Sequence, residues 1–433
     1  MPTSRKRTKT RTAGRFPEIL LGICLVAGCL AACGRAGRTD EPADPSAPAA
    51  VVQEPADPGA DYSALVNHKI TVTQDTPLYR KTENGSVQCG TAYAGALLDI
   101  TAQENGLIAV SDSDLYLSGS DAALSERWFR NDTNLVPFAQ DVVTKDVFHI
   151  LDETGSMLAE ITESRTLPVY VMPGEENRYG IRFQNGIYYI DSSETQGLAE
   201  SGRGTEATAG ELPVLMYHFF YSEADGGSRT DGNYIEVKEL EEQLNYIREN
   251  GFHACTMREV RYWMENRAIL PAKSIAITID DADPSVHQYA MPLFAQYGLH
   301  ATNFVICGWQ PPEMSYDLWE MRENGMELQS HGFLTHTGGC SGMGHGGLLL
   351  CMDHDAGVED TVRSFDYVDG GFVYCYPFGD VNDNAESIVK DGGAKLAFTT
   401  EGGRINPSMD PLRLPRVRVT GGNGLNAFAA GIS

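Results

Sequence analysis

The chain has 433 residues, 42% of them hydrophobic and 21% charged, which is longer than one ordinary core and predicts two or three domains. Its formal net charge of −26 excludes a nucleic-acid surface, because a phosphate backbone needs a basic face. A neutral or cationic partner is easier to accommodate.

The charge is uneven along the chain. Residues 1–32 carry Arg5, Lys6, Arg7, Lys9, Arg11 and Arg15 against the single acid Glu18. This basic start runs into Ile19–Ala32, an apolar stretch too short for a comfortable membrane span and shaped as a signal peptide. It closes on Leu30-Ala31-Ala32-Cys33-Gly34, which resembles the bacterial lipobox. That resemblance implies a lipid anchor through Cys33, residues 1–33 as the leader, and an exported lipoprotein on the outer face of the cell membrane or in the wall. An ordinary signal peptide with an incidental cysteine, or an uncleaved anchor, is the plainer alternative. Residues 34–64 hold Pro42, Pro45, Pro48, Pro55 and Pro58 among Ala, Asp and Glu, too little apolar surface to order themselves, and read as a tether.

Residues 65–198 read as a β-rich region of short strands and polar turns. Strands are expected at Lys69–Val72, Ala96–Ile100, Leu107–Val110, Val147–Leu151, Leu167–Met172 and Ile181–Ile190, with turns at Glu83-Asn84-Gly85, Glu104-Asn105-Gly106 and Gln184-Asn185-Gly186. The phrases ENGLIAV and QNGIYYI hint at an internal duplication. One or two small barrel-like modules follow from this pattern, resembling Src-homology-3-like units, either wall-binding or mere spacers. The Gly-rich residues 199–211 are the expected linker.

Beyond the linker, strands alternate with helices. Strands are expected at Pro213–His218, Phe252–Cys255, Ser274–Ile279, Ala301–Ile306, Met326–Gln329, Phe372–Tyr376 and Lys395–Thr399. Helices are expected over Val237–Asn250, Met257–Glu265 (opened by a Thr256/Glu259 capping box), Val286–Tyr297, Tyr316–Asn324 and Ala385–Asp391. The fold class is therefore α/β, with repeated βα units closing or nearly closing a barrel behind the β-rich region. Of nine cysteines, Cys340 and Cys351 bracket a Gly-rich insert and could close it with a disulfide. Cys255, Cys307 and Cys375 lie in strand-like runs and read as small buried hydrophobes. The insert also carries His345 and is followed by His354. A floppy surface loop, a lid and extra metal contacts are all open readings for it.

Three fragments carry chemistry. The strand over Ser274–Ile279 ends in Asp280-Asp281, and strand ends are where α/β sheets bind ligands. One acid can bind a cation while its neighbour accepts a proton. Met326–Gln329 runs into Ser330-His331-Gly332-Phe333-Leu334-Thr335-His336, whose two imidazoles with one carboxylate make a set for zinc or a similar cation. Tyr376-Pro377-Phe378-Gly379-Asp380 is a sharp exit whose bared backbone N–H groups could hold an oxyanion.

Together these pieces resemble the NodB-homology polysaccharide deacetylases, and among them the poly-N-acetylglucosamine deacetylase branch. Thr278-Ile279-Asp280-Asp281-Ala282 stands for the first motif, and the longer His331 to His336 spacing is similar to that branch. Leu215-Met216-Tyr217-His218, Tyr376–Asp380, Leu396–Thr400 and Leu414-Pro415-Arg416 look like it too. The resemblance covers residues 212–433 as a domain. It implies a distorted (β/α) barrel and hydrolysis of N-acetyl groups on poly-N-acetylglucosamine, peptidoglycan or a chitin-like oligomer. It implies Asp280 as general base and Asp281, His331 and His336 around one divalent metal, zinc first, with cobalt, nickel or iron as alternatives. Tyr376, Pro377 and Arg416 are placed with the substrate and oxyanion. Cys375 stands where the family has an arginine, and Arg416 is a candidate to supply that charge from another strand. With no L-x-H motif, His218 becomes the candidate general acid. A catalytically weak deacetylase fold that only binds glycan is the rival reading, and a structural lipoprotein whose β modules act is a third.

Overall fold

The structure is a computed structural model that describes residues 59–83, 85–125, 133–204 and 206–433, all within one compact unit. The leader, Cys33 and most of the tether lie outside the described residues. Among the described residues no helix is long and apolar enough to cross a membrane. Tyr62, expected in the tether, already belongs to the first module: its backbone N–H donates to Gln103 at 2.7 Å.

The β-rich region is a duplication. The first module has strands β1 (Lys69–Val72), β2 (Thr76–Thr82), β3 (Gly85–Ala92), β4 (Leu97–Glu104), β5 (Leu107–Val110), β6 (Leu115–Ser118) and β7 (Ala122–Leu124). The second has β8 (Gln140–Thr144), β9 (Phe148–Leu151), β10 (Met157–Ile161), β11 (Thr166–Val171), β12 (Arg178–Phe183), β13 (Gly186–Asp191) and β14 (Thr195–Glu200). Each module pairs its first strand with its fourth and seventh, its second with its third and sixth, and its fifth with its fourth and sixth. The stretch Ile181–Ile190, expected as one strand, is the hairpin β12–β13 around Gln184 and Asn185, both with positive φ. The modules join where β3 meets β10 antiparallel, with Gly90 opposite Ile161, Thr91 opposite Glu160 and Ala92 opposite Ala159. A Cβ on Gly90 would sit 2.2 Å from the Glu160 carbonyl oxygen, so the junction requires glycine there.

The C-terminal part has strands β15 (Val214–Tyr217), β16 (Phe219–Tyr221), β17 (Tyr234–Glu236), β18 (His253–Cys255), β19 (Ser274–Asp281), β20 (Ala301–Val305), β21 (Met326–Ser330), β22 (Val373–Cys375), β23 (Leu396–Gly402) and β24 (Leu414–Arg418). Seven of them form a closed parallel ring, β15-β19-β20-β21-β22-β23-β24 and back to β15. β18 lies against the start of β19. The helices are α1 (Val237–Glu249), α2 (Met257–Met264), α3 (Met291–Tyr297, after a π turn), α4 (Tyr316–Glu323), α5 (His354–Tyr367), α6 (Asp383–Asp391) and α7 (Gly424–Ile432). In α1, Leu240, Leu244 and Ile247 share one face and are fully buried, each worth roughly 1.5–3 kcal/mol. The Thr256/Glu259 capping box opens α2 as expected from sequence.

The stretch after His336 resolves into a loop closed by a Cys340–Cys351 disulfide, followed by α5. The chain from 206 to 212 is strapped to the barrel, with Ala209 N–H donating to the Leu270 carbonyl and Leu212 exchanging bonds with Ile405. Module two continues this contact. Leu135, Leu151, Val171 and Tyr189 share one apolar cluster with Val214, Met257, Val260, Trp263, Val373 and Leu396. Val214, Val373 and Leu396 begin their strands, so the module plugs the barrel at the end opposite Asp280 and Asp281.

Candidate metal centre

β19 is a buried strand whose last two residues are the acids. Asp281 has φ of 77° and Ala282 of 51°, left-handed backbone that turns the chain sharply off the sheet. Strain of this kind is held by the surrounding fold and clusters at functional sites. It sends the two carboxylates different ways.

Asp281 Oδ1 lies 3.4 Å from His331 Nε2 and 3.5 Å from His336 Nε2. Atoms bound tetrahedrally at metal–ligand distances of ~2.0–2.1 Å stand roughly 3.3–3.4 Å apart; both Asp281 edges meet that spacing, and all three donor atoms lie within 4.8 Å of one another, a set that could hold one small divalent cation. His331 Nδ1 donates to the Cys375 carbonyl at 2.7 Å, which turns Nε2 toward Asp281. Burial, and then the neighbouring His331, push His336 down to about 4, so that ring is neutral as a ligand must be. The loop joining the two imidazoles is held from below by Asp360 on α5. Its carboxylate accepts from the N–H groups of Phe333 (3.0 Å) and Leu334 (2.7 Å) and from the Thr335 hydroxyl (3.3 Å).

Asp280 is buried on the other side of the strand end. Arg416 grips it with both ends of its fork, Nη1 to Oδ1 and Nη2 to Oδ2, each at 2.7 Å. Arg416 is itself fully buried and also donates to the Thr278 hydroxyl and the Thr399 carbonyl. Burial alone would raise the Asp280 pKa; the guanidinium overrides it and holds the carboxyl well below the usual range. Cys375 Sγ lies 3.2 Å from Arg416 Nη2 and 3.6 Å from Asp280 Oδ2, so this buried thiol touches the acid and its cation as well as filling space. His218 Nε2 lies 3.8 Å from Asp280 Oδ2, and burial pushes its pKa below the ordinary imidazole value against the pull of Asp280.

Two expected roles are corrected. The Tyr376 N–H donates to the Phe398 carbonyl at 3.0 Å and its hydroxyl to Leu412, while Pro377 has no N–H and is buried. Neither offers a free donor to an oxyanion. Arg416 exposes nothing to a substrate, so its place is behind Asp280, not against the glycan. In the insert, His345 donates from its backbone N–H to Asp380 and lies against it through Nδ1, and His354 contacts Asp391; neither joins the triad. Sequence reasoning missed Asp360 and Trp309, and quoted Phe378 for its backbone alone, not for its ring. The two aromatic rings lie 5.2 and 4.7 Å from the His336 ring, and a lone Trp just past a strand's carboxyl end was the available signal. A cavity of about 420 Å³ opens beside Asp281 and Trp309.

Residues 267–397 match the family model described as polysaccharide deacetylase. Poly-beta-1,6-N-acetyl-D-glucosamine N-deacetylase of Staphylococcus aureus (strain MRSA252) is 24% identical over 217 residues, covering 47% of this chain and 72% of that protein. The candidate polysaccharide deacetylase YxkH of Bacillus subtilis (strain 168) is 27% identical over 229 residues, covering 51% and 75%. Among solved structures, the Streptococcus pyogenes deacetylase PplD in complex with acetate aligns at 24% identity over 52% of this chain and all of that one, with a TM-score of 0.45.

Proposed function

We propose that the polysaccharide deacetylase domain of this chain hydrolyses N-acetyl groups on a glycan containing N-acetylglucosamine, with one divalent cation, zinc by preference, held by Asp281, His331 and His336. The observation that carries the reading is the placement of Asp281 Oδ1 at 3.4 and 3.5 Å from two imidazole nitrogens, with an ionised Asp280 next in sequence. A cation in that set would polarise the amide carbonyl and acidify the attacking water. Asp280 takes that water's proton on Oδ2; Arg416 keeps the carboxylate ionised and turned toward the site. His218, neutral at rest and 3.8 Å from the same oxygen, is placed to carry a proton onto the leaving nitrogen. Atoms balance: water supplies hydroxyl to the acetyl carbon, the C–N bond breaks, and acetate leaves a free amine.

Export and anchoring through Cys33 are part of the same proposal, and place the domain where surface glycan is available. The test is acetate release from a panel of poly-β-1,6-N-acetylglucosamine, peptidoglycan and chitin oligomers. Release should disappear on chelation, return with zinc, and fall about 10²–10⁴-fold in D280N. No release from any of the three polymers with zinc, cobalt, nickel or iron supplied would end the reading. Cys33→Ser should move the protein from the membrane to the soluble fraction.

A further inference from the structure

We infer that the loop closed by the Cys340–Cys351 disulfide is a clamp on His336, pinned by Asp380 as a positioning residue, so that the cation centre proposed above, on which this rests, reaches full affinity only once the bridge has formed. The loop starts at Thr337, the residue after His336, and folds back on itself. Leu348 N–H donates to the Thr337 carbonyl at 2.8 Å and Gly339 N–H to the Gly346 carbonyl at 2.9 Å. Its returning limb lies on Phe378, since a Cβ on Gly347 would sit 3.2 Å from Phe378 Cδ2. The Phe378 ring in turn stands 4.7 Å from the His336 ring. The path from His336 through the loop and Phe378 back to His336 is therefore closed.

Asp380 holds that path together. Its buried carboxylate accepts from the His345 N–H at 2.8 Å and the Gly347 N–H at 2.9 Å, and meets His345 Nδ1 at 2.9 Å. It follows two residues after Phe378, whose φ of 62° is left-handed backbone that only its surroundings can hold. The loop's own composition does not fix its shape, because six of the residues from Gly338 to Gly347 are glycine. Glycine has the most backbone freedom to lose, and a bridge across 11 positions removes freedom that the open loop keeps. Cys351 is exposed, whereas Cys89, Cys255, Cys307 and Cys375 are buried thiols, so thiol exchange among the described residues is directed to this bridge. Closing it passes two electrons and two protons from Cys340 and Cys351 to a disulfide of an exchange partner, which leaves as a dithiol; opening is the reverse. Thiols stay reduced in the cytosol and pair outside it. The centre is consequently loose during synthesis and tightens after export, where glycan is met.

The test reads zinc affinity on the full chain by competition with a chelating dye, with no glycan present. Wild type with the bridge closed should bind about 10–100-fold more tightly than C340S/C351S. A phosphine reductant should bring wild type down to the level of that variant and leave the variant unchanged. D380A should weaken binding by a similar factor with the bridge intact, and D380N, which keeps one accepting oxygen, should retain part. Equal affinity of oxidised and reduced wild type would overturn the clamp, whether or not the double variant folds, as would a D380A chain that binds as wild type does. Zinc held in a bridge-dependent way by a chain that releases no acetate supports the clamp and sinks only the hydrolytic reading. Acetate release with zinc affinity blind to the bridge does the reverse.

Discussion

Arg416 determines what Asp280 can do. A buried carboxylate without a partner would take up a proton; gripped at both oxygens it stays ionised. Replacing Arg416 with Met should therefore cost about 3–5 kcal/mol of stability, the usual cost of leaving one member of a buried pair alone. It should also move the acid limb of kcat/KM up toward neutral pH, since the Asp280 pKa then rises with burial. R416K keeps a charge but loses the fork and should fall between. A pH profile of R416M that overlays wild type would remove Arg416 from the chemistry. At this scale the four residues Asp280, Asp281, His331 and His336 are readable in sequence, because the two acids close β19 and His331 follows β21 directly, with His336 on the same loop. Arg416 reads as one of two things, substrate contact or base partner, since linear order carries no statement of which way a β24 side chain turns. Cys375 reads as filler for the same reason: its contacts with Asp280 and Arg416 span 95 and 41 residues.

Helix α5 shows why one element escapes a reading based on apolar period. Its buried face includes Gly357, Asp360, Thr361 and Ser364, chosen to hold a loop rather than fill a core, so no hydrophobic stripe marks it. Asp360 on that face fixes the backbone between the two imidazoles. D360A should lower zinc affinity about 10–100-fold, as loss of a supporting hydrogen-bond partner does, measured by competition with a chelating dye, with D360N retaining part. Equal affinity in D360A and wild type would show that the loop holds its own shape. The elements with strong local signals, such as the capped α2 and the β-branched run in β19, are legible to within a residue or two at most ends. The hairpin β12–β13 was legible as a turn yet not as two strands, because Gln184-Asn185-Gly186 sits inside one continuous apolar pattern.

On the scale of the whole molecule, module two and the barrel share a core, which no linker composition announces. The bond from Thr133 to Glu259 crosses 126 residues, and Glu259 also pairs with His253 at 3.0 Å. A fragment of residues 206–433 should consequently lose stability or aggregate, since Met257, Val260, Tyr262 and Trp263 would meet water. Thermal unfolding of that fragment matching the full chain would contradict the shared core. Burial opposes charge on His253, and Cys255 and Glu259 together override it, so the folded pKa stands above the unfolded value near ~6.5. Such a pair is fully stabilising below the unfolded pKa, and its contribution is lost as pH rises through the raised folded value. Melting temperature should drop on going from pH 7 to 10, and E259Q should flatten that slope; parallel curves would dissociate the pair from the seam. The strand junction between the modules has a further meaning. Thr91 and Glu160 face each other at its centre, with Gly90–Ile161 and Ala92–Ala159 to either side, and these are equivalent positions of the two copies. Such a contact is isologous, the kind two identical subunits make about a dyad. A lone seven-stranded unit cut from this chain would thus present the same edge to its twin, and the tandem reads as a homodimer fused into one polypeptide.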